Sequence, residues 1–373
     1  MSQAGPADQV TLTIDLDAVA ANYRTLQQRL DGVPCAAAVK ADAYGLGVDR
    51  VAPTLWHAGC RHFFVATLDE AVALRGLLPD ADISPLNGLS DGGAEVCLAH
   101  RLLPILNHLG DIESWRAAAS GAGRRLGGLL HIDTGMARLG LPEDEVARVV
   151  RSPDLLDGVA VRYVMSHLAC ADEPDHPLNR QQLDRFADMR RRLAPATGDP
   201  PGSLANSSGI FLGPEFHADL GRPGAAIYGL APAPDAPNPM AQVINLKGKI
   251  VQVRDVDSPM TVGYGATHRV ARRGRVATLT VGYADGFLRS LSNQGSCFIG
   301  DIRVPLIGRV SMDLITVDVS DIPADQARIG TEVELIGPHQ SPDALAADAG
   351  TIGYEILTAL GARYHRHYIG GPS

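Results

Sequence analysis

Through roughly the first two thirds of the chain, short apolar runs alternate with longer amphipathic stretches. The apolar runs fall at 36–40, 62–66, 83–87, 102–107, 128–133, 159–167, 203–207 and 219–222. Between them, 48–58, 68–77, 143–151 and 177–193 space their apolar residues as one face of a helix does. Strand followed by helix, repeated eight times over ~250 residues, predicts a (β/α)8 TIM-type barrel. Beyond residue 240 the pattern changes. Segments 242–254, 275–281, 297–299, 301–307, 314–319 and 332–336 read as strands separated by Gly, Pro, Asp and Asn. The expected fold class is therefore α/β: a barrel followed by a mostly β C-terminal domain.

Near the N-terminus, 11–14 reads as a strand ahead of a helix over 16–30. Residues 231–239 hold four prolines in nine positions, which rules out a regular helix or central strand there. The expected domains are 10–240, the cofactor-binding barrel, and 241–373, the β domain. The strand near 10–14 is a candidate to join the second.

Composition narrows the classes. Hydrophobic residues make up 45% of 373, enough for packed cores, and the net charge of −9 argues against nucleic acid or an anionic membrane as partner. No run of 18 apolar residues is present, and Met1–Val10 lacks the basic cluster of a signal peptide. Five scattered cysteines with no C-x-x-C spacing fit a reducing cytoplasm and no zinc site. No metal is expected.

The basic residues carry the most information. Only Lys40, Lys247 and Lys249 are lysines; the other basic residues are arginines. Arginine stays protonated, whereas lysine can give up its proton and act as a nucleophile. Lys247 and Lys249 alternate along one strand, so they share one face, read as solvated. Lys40 ends an apolar run, and the C-terminal ends of barrel strands face the active site. Burial there disfavours its charged form and prepares it for a Schiff base with an aldehyde cofactor.

Ala38-Val-Lys-Ala-Asp-Ala-Tyr-Gly-Leu-Gly47 resembles the pyridoxal-phosphate attachment motif of the alanine racemase family. Further resemblances follow in the family's order: His131 to Gly140, Ser166 to Asp172, Ala205-Asn-Ser207, Arg222 to Gly229, Val262 to Ala266, Gly282 to Gly286, Gly308 to Asp313, and Gly353-Tyr-Glu355. Together they cover the chain from about residue 10. The resemblance implies a barrel plus β domain, pyridoxal 5'-phosphate as cofactor, a small amino-acid substrate and a homodimer with shared active sites.

It also implies roles. Lys40 anchors the cofactor and is the base on one face of the reacting carbon. Tyr264, bracketed by glycines, is the base on the other, contributed by the second subunit. Arg222 meets the pyridine nitrogen and His167 bridges that arginine to the tyrosine. Tyr44, Ser207, Gly224, Ala225 and Tyr354 hold the phosphate. Arg138 and the backbone of Met312 meet the substrate carboxylate. Tyr283, Arg289, Arg309, Ile352 and Asp172 match an access corridor.

One departure stands out. Many family members carry a carbamylated lysine where this chain has His131. Arg138 must then be positioned by a neutral His131, by an acid such as Asp133, or by a bound anion. The expected activity is interconversion of L- and D-alanine by two bases. Racemisation of serine or a broader set of amino acids, a non-catalytic pyridoxal-phosphate carrier, and a decarboxylase on a similar barrel are the alternatives. Whether the product feeds cell-wall synthesis or the reaction serves D-alanine breakdown is left open by sequence.

Overall fold

The computed structural model describes residues 10–234 and 236–372. The N-terminal segment read above, up to residue 9, and residue 235 of the proline-rich linker lie outside the described residues. So does residue 373.

Strand β1, Val10–Asp15, leads into α1, Leu16–Arg29, whose first turn is capped by the Asp15 carboxylate accepting from the Ala18 amide. The barrel strands follow: β2 Ala37–Ala38, β3 His62–Val65, β4 Asp82–Pro85, β5 Ile105–Leu106, β6 Leu126–His131, β7 Val159–Met165 and β8 Gly202–Ser203. They pair in parallel as β2-β3-β4 and β5-β6-β7-β8. The Leu103 amide donates to the Ile83 carbonyl and joins the two groups. The eighth position is filled by extended backbone around 219–223. There Ala36 donates to Gly221, Ala38 to Pro223, and Arg222 to Ala205, which closes the ring.

Alternation along each strand divides the side chains. Phe63, Val65, Ile83, Leu106, Leu130 and Val164 pack outward against the helices. Ala36, Ala38, Phe64, Ile105, Leu129, Met165 and Leu220 fill the interior as a separate cluster. The helical layer comprises the turn α2, Lys40–Gly45, then α3 Val48–His57, α4 Leu68–Leu77, α5 Gly93–Ala99, α6 Leu109–Ala122, α7 Glu143–Arg151, α8 Pro177–Thr197 and the short α9 Gly209–Leu212.

The remaining strands are β9 Ile244–Val256, β10 Thr261–Val262, β11 His268–Arg269, β12 Gly274–Leu279, β13 Ser296–Ile299, β14 Ile302–Pro305, β15 Ile315–Asp318, β16 Glu332–Ile336 and β17 His365–Ile369. Eight of the chain's strands form one sheet with the order β14-β13-β16-β9-β1-β17, and β12 and β15 pair alongside β9. β1 lies between β9, antiparallel, and β17, parallel. Two helices, α10 Pro342–Ala349 and α11 Gly353–Ala359, pack on each other, and α11 reaches the barrel at α2. Among the described residues no helix is long and apolar enough to cross a membrane.

Several expectations shift. The runs 102–107 and 203–207 form shorter strands than their apolar length implied, and the run 219–222 holds only bridge contacts. The strand expected to run to Lys40 stops at Ala38. Ala41, Asp42, Ala43 and Tyr44 follow with φ between 52° and 56°, a left-handed turn of four non-glycine residues. Each such residue costs roughly 1–2 kcal/mol, so the surroundings must over-determine the turn. The contacts do so. Ala43 donates to the Val39 carbonyl, Val48 to the Asp42 carboxylate at 2.7 Å, and Arg366 to the Gly45 carbonyl at 2.6 Å.

Gly45 has φ +81°, and a Cβ there would stand 2.5 Å from the Leu357 carbonyl oxygen. Gly45→Ala is expected to destabilise the protein by roughly 2 kcal/mol or more, since strain and backbone clash add. Gly121, exposed in α6 with nothing within 4 Å of a Cβ, is the contrast: Gly121→Ala should stabilise by up to about 1 kcal/mol. Thermal or urea unfolding of both variants checks this. Equal effects at the two positions would contradict it.

Candidate active site

The C-terminal ends of the barrel strands open into a cavity of about 680 Å³. Its wall is contributed strand by strand: Lys40 after β2, Ala66 after β3, Asn87 after β4, His131 at the end of β6, His167 after β7, Ser207 after β8, and Arg222 with Gly224 from the closing segment. Ile352, Tyr354, Glu355 and Thr358, from α11 and the residue before it, line the remaining side.

Lys40 begins the left-handed turn. Burial lowers its amine's pKa, the Arg138 charge lowers it further, and Glu70 opposes both. The Glu70 carboxylate accepts from the Ala41 amide at 2.8 Å with one oxygen and from the Ala66 amide at 2.7 Å with the other. Lys247, exposed and 3.4 Å from Glu332, and the half-buried Lys249 lie on the β sheet away from this cavity, as their alternation implied.

Arg222 is buried and faces no carboxylate among the described residues. Its guanidinium donates to the Ser203 hydroxyl at 2.5 Å and to the Ser166 carbonyl at 2.7 Å, and burial pulls its pKa down to about 10. No hydrogen bond joins it to His167 among the described residues. His167 is held neutral, first by burial and then by the charges of Arg222 and Arg138.

The Ser207 hydroxyl accepts from the Gly224 amide at 2.9 Å and the Ala226 amide at 3.1 Å. Tyr44 stacks on Tyr228, with ring centroids 4.6 Å apart, and Tyr354 lies 6.1 Å away. A Cβ on Gly224 would stand 2.3 Å from the Tyr44 hydroxyl, so glycine keeps this corner open. The helices near it are short: α9 has four residues and Ala225–Tyr228 is a single 3-10 turn. Hydroxyls and loop amides shape the corner more than any long helix.

His131 gains a definite tautomer. The Asn107 side-chain amide donates to the Leu86 carbonyl at 3.0 Å, which turns its oxygen towards the ring. That oxygen lies 2.7 Å from His131 Nδ1, so Nδ1 carries the hydrogen and Nε2 is left as an acceptor. Burial, seconded by Arg222, holds the pKa down at about 4. The ring is neutral, as the sequence reading expected. Asp133 is occupied elsewhere: its carboxylate accepts from the amides of Gly135, Met136 and Ala137. Arg138 stands exposed on the loop these bonds fold, at the cavity wall.

Lys40, Tyr44, Arg138, His167, Ser207, Arg222, Gly224, Ala225, Ile352 and Tyr354 thus come together around one cavity. Tyr264 and Met312 do not line it. They are 73% and 52% exposed on the β domain, near Tyr283 and Arg309. Tyr283 donates its amide to Ser311, Ala284 donates to Met312, and the glycines flanking Tyr264 pack on Arg309. Arg289 and Asp172 also lie off the cavity lining. Sequence reading missed Glu70, Asn107, Ser166 and Ser203. Only Glu70 had a local signal, the Thr67-x-x-Glu70 capping box that opens α4.

Converging strand ends, one amine among arginines and an attached β domain define an enzyme built on a (β/α)8 barrel. The models of the alanine racemase N-terminal and C-terminal domains match residues 14–232 and 243–368. The alanine racemase of Rhodospirillum rubrum is 50% identical, with 98% of each chain covered. The catabolic alanine racemase of Mesorhizobium japonicum is 49% identical over 96% of this chain and 93% of its own. A crystal structure of alanine racemase from Bartonella henselae with covalently bound pyridoxal phosphate superposes with a TM-score of 0.93, at 39% identity, covering 98% of this chain and all of that one. The chain belongs to the alanine racemase family.

His131 and His62, with folded values of about 4 and about 3 against 6.5 unfolded, stay neutral while the unfolded chain takes up protons. Stability is therefore fully present above about pH 6.5 and lost as pH falls towards 4. His131→Gln should flatten this acid-side decline in melting temperature. A decline as steep as in the parent protein would contradict it.

Proposed function

We propose that this chain interconverts L- and D-alanine, with pyridoxal 5'-phosphate as cofactor and two bases drawn from two subunits. The observation that carries the reading is the single amine, Lys40, in a cavity whose other cations are Arg138 and Arg222. The cofactor fits what is there. An uncompensated buried guanidinium, a second arginine and the open corner at Gly224 suit an anionic group bearing a phosphate.

Bound there, the cofactor supplies the electron sink that acidifies the Cα–H of the substrate. Lys40 would anchor it covalently, and the same amine would be the base that moves a proton at one face of Cα. Ser207, Gly224, Ala225, Tyr44 and Tyr354 hold the phosphate. Arg222, still protonated near neutral pH, would meet the ring nitrogen and disfavour its protonation. His167 stands beside Arg222 as a neutral ring. Arg138 receives the substrate carboxylate, together with the backbone N–H of Met312.

Tyr264 serves the opposite face. It lies on an exposed face outside its own chain's cavity, so a second copy must present it, and Met312 with it. The functional unit is then a homodimer with symmetric, shared sites. Residues 10–240 supply the anchor and 241–373 the second base; pairing assigns the strand Val10–Asp15 to the latter's sheet. The five cysteines are free thiols, four of them buried, which fits work in the cytoplasm.

Lys40→Ala and Tyr264→Phe should each lower racemisation of L-alanine, followed by optical rotation, on the order of a thousandfold. Unfolded together at equal amounts and refolded, the two chains should recover about a quarter of parental activity, because half the dimers carry one intact site. Recovery no greater than the separate variants show would defeat the shared-site reading.

A further inference from the structure

The turn that presents Lys40 is held from outside itself. Strand β2 ends two residues before the amine, and the next four residues are left-handed, so the turn provides no helical ladder for the Ala41 amide. That amide finds Glu70 instead, at 2.8 Å. The other oxygen of the same carboxylate takes the Ala66 amide at 2.7 Å, in the loop that follows β3. One side chain on α4 thereby ties together the ends of two neighbouring barrel strands. Ala41 and Ala66 both belong to the cavity wall beside Lys40.

We infer that Glu70 is a positioning residue for Lys40, fixing the direction of the amine through the Ala41 and Ala66 amides. The reading rests on Lys40 as the cofactor's anchor.

Charge and geometry agree. The charges that act on the amine are those of Glu70 from α4 and Arg138 from the loop after β6, while His167, two residues past β7, shares the cavity as a neutral ring. Of these only Glu70 is anionic. A carboxylate supports the ammonium form of a neighbouring amine, and the arginine opposes it. Glutamine at 70 would remove the charge and also turn an amide N–H towards a backbone N–H among the three the carboxylate accepts from, those of Ala41, Ala66 and Thr67, so at least one bond is lost.

The Glu70 carboxylate also accepts from the Thr67 amide at 3.4 Å as half of the capping box, so the other half, the Thr67 hydroxyl, serves as the control for helix capping. That hydroxyl accepts from the Glu70 amide at 3.3 Å, so Thr67→Ala weakens the start of α4 and leaves the carboxylate links intact.

The test uses the full-length chain as holoenzyme and after removal of cofactor with hydroxylamine. In the stripped chain, the pH dependence of Lys40 acylation is read by peptide mass spectrometry, with Lys247 and Lys249 as references within the same molecule. Glu70→Gln should lower the Lys40 midpoint by roughly one pH unit and leave the references unmoved. Glu70→Asp keeps the charge and should leave the midpoint within a few tenths of the parent's. In the holoenzyme, Glu70→Gln and Glu70→Asp should both release cofactor about tenfold faster by loss of visible absorbance; Thr67→Ala should not. The inference is overturned if Glu70→Gln leaves both readouts unchanged, or if Thr67→Ala moves them equally. Because acylation needs no cofactor, a parent protein without bound cofactor would refute the proposed function and still report on Glu70.

Discussion

The buried Arg222 guanidinium faces no carboxylate among the described residues, and the groups lining the cleft feel that charge. Arg222 donates to the Ser203 hydroxyl and the Ser166 carbonyl and lies over the Phe64 ring, at the closing seam of the barrel. An uncompensated buried charge costs several kcal/mol, which an anionic ligand offsets. Burial, with the same positive field second, keeps His62, His131 and His167 neutral. Burial, and after it the Arg138 charge, also weakens the proton's hold on Lys40. The cleft is cationic through two arginines and holds a single lysine whose amine is eased towards its neutral form.

The barrel provides this arrangement because its strand ends converge. Residues 40, 131, 167, 207 and 222 are far apart in sequence and meet because each follows or ends a strand. The β domain adds two things of a different kind. α11 closes one side of the cleft and packs against the left-handed turn, with Arg366 of β17 donating to Gly45. The loops carrying Tyr264 and Met312, by contrast, face outward. One domain thus braces the turn that presents Lys40 in its own chain while exposing Tyr264 and Met312 on its surface.

Much of this was legible in the sequence, for reasons that can be named. The runs at 62–66 and 83–87 became β3 and β4 because they pair a strand-length apolar stretch with flanking turn residues. Lys40 stood out by rarity and by its apolar approach. The left-handed turn was not legible, since Ala-Asp-Ala-Tyr contains no glycine and its strain is borne by distant residues such as Glu70. β17, His365–Ile369, shows no apolar alternation and forms only because β1 lies beside it. α10 and α11 hid among turn residues. The Asn107–His131 pair needed the adjacency of β5 and β6, which spacing alone does not reveal. Exposure of Tyr264 is likewise a tertiary fact.

The most direct measurement concerns where the cofactor is held. Reduction of the yellow holoenzyme with borohydride, followed by digestion and peptide mapping, fixes the bound group to whichever amine carries it. The label is expected on Lys40 alone. Label on Lys247 or Lys249, or on no lysine, would contradict the central claim.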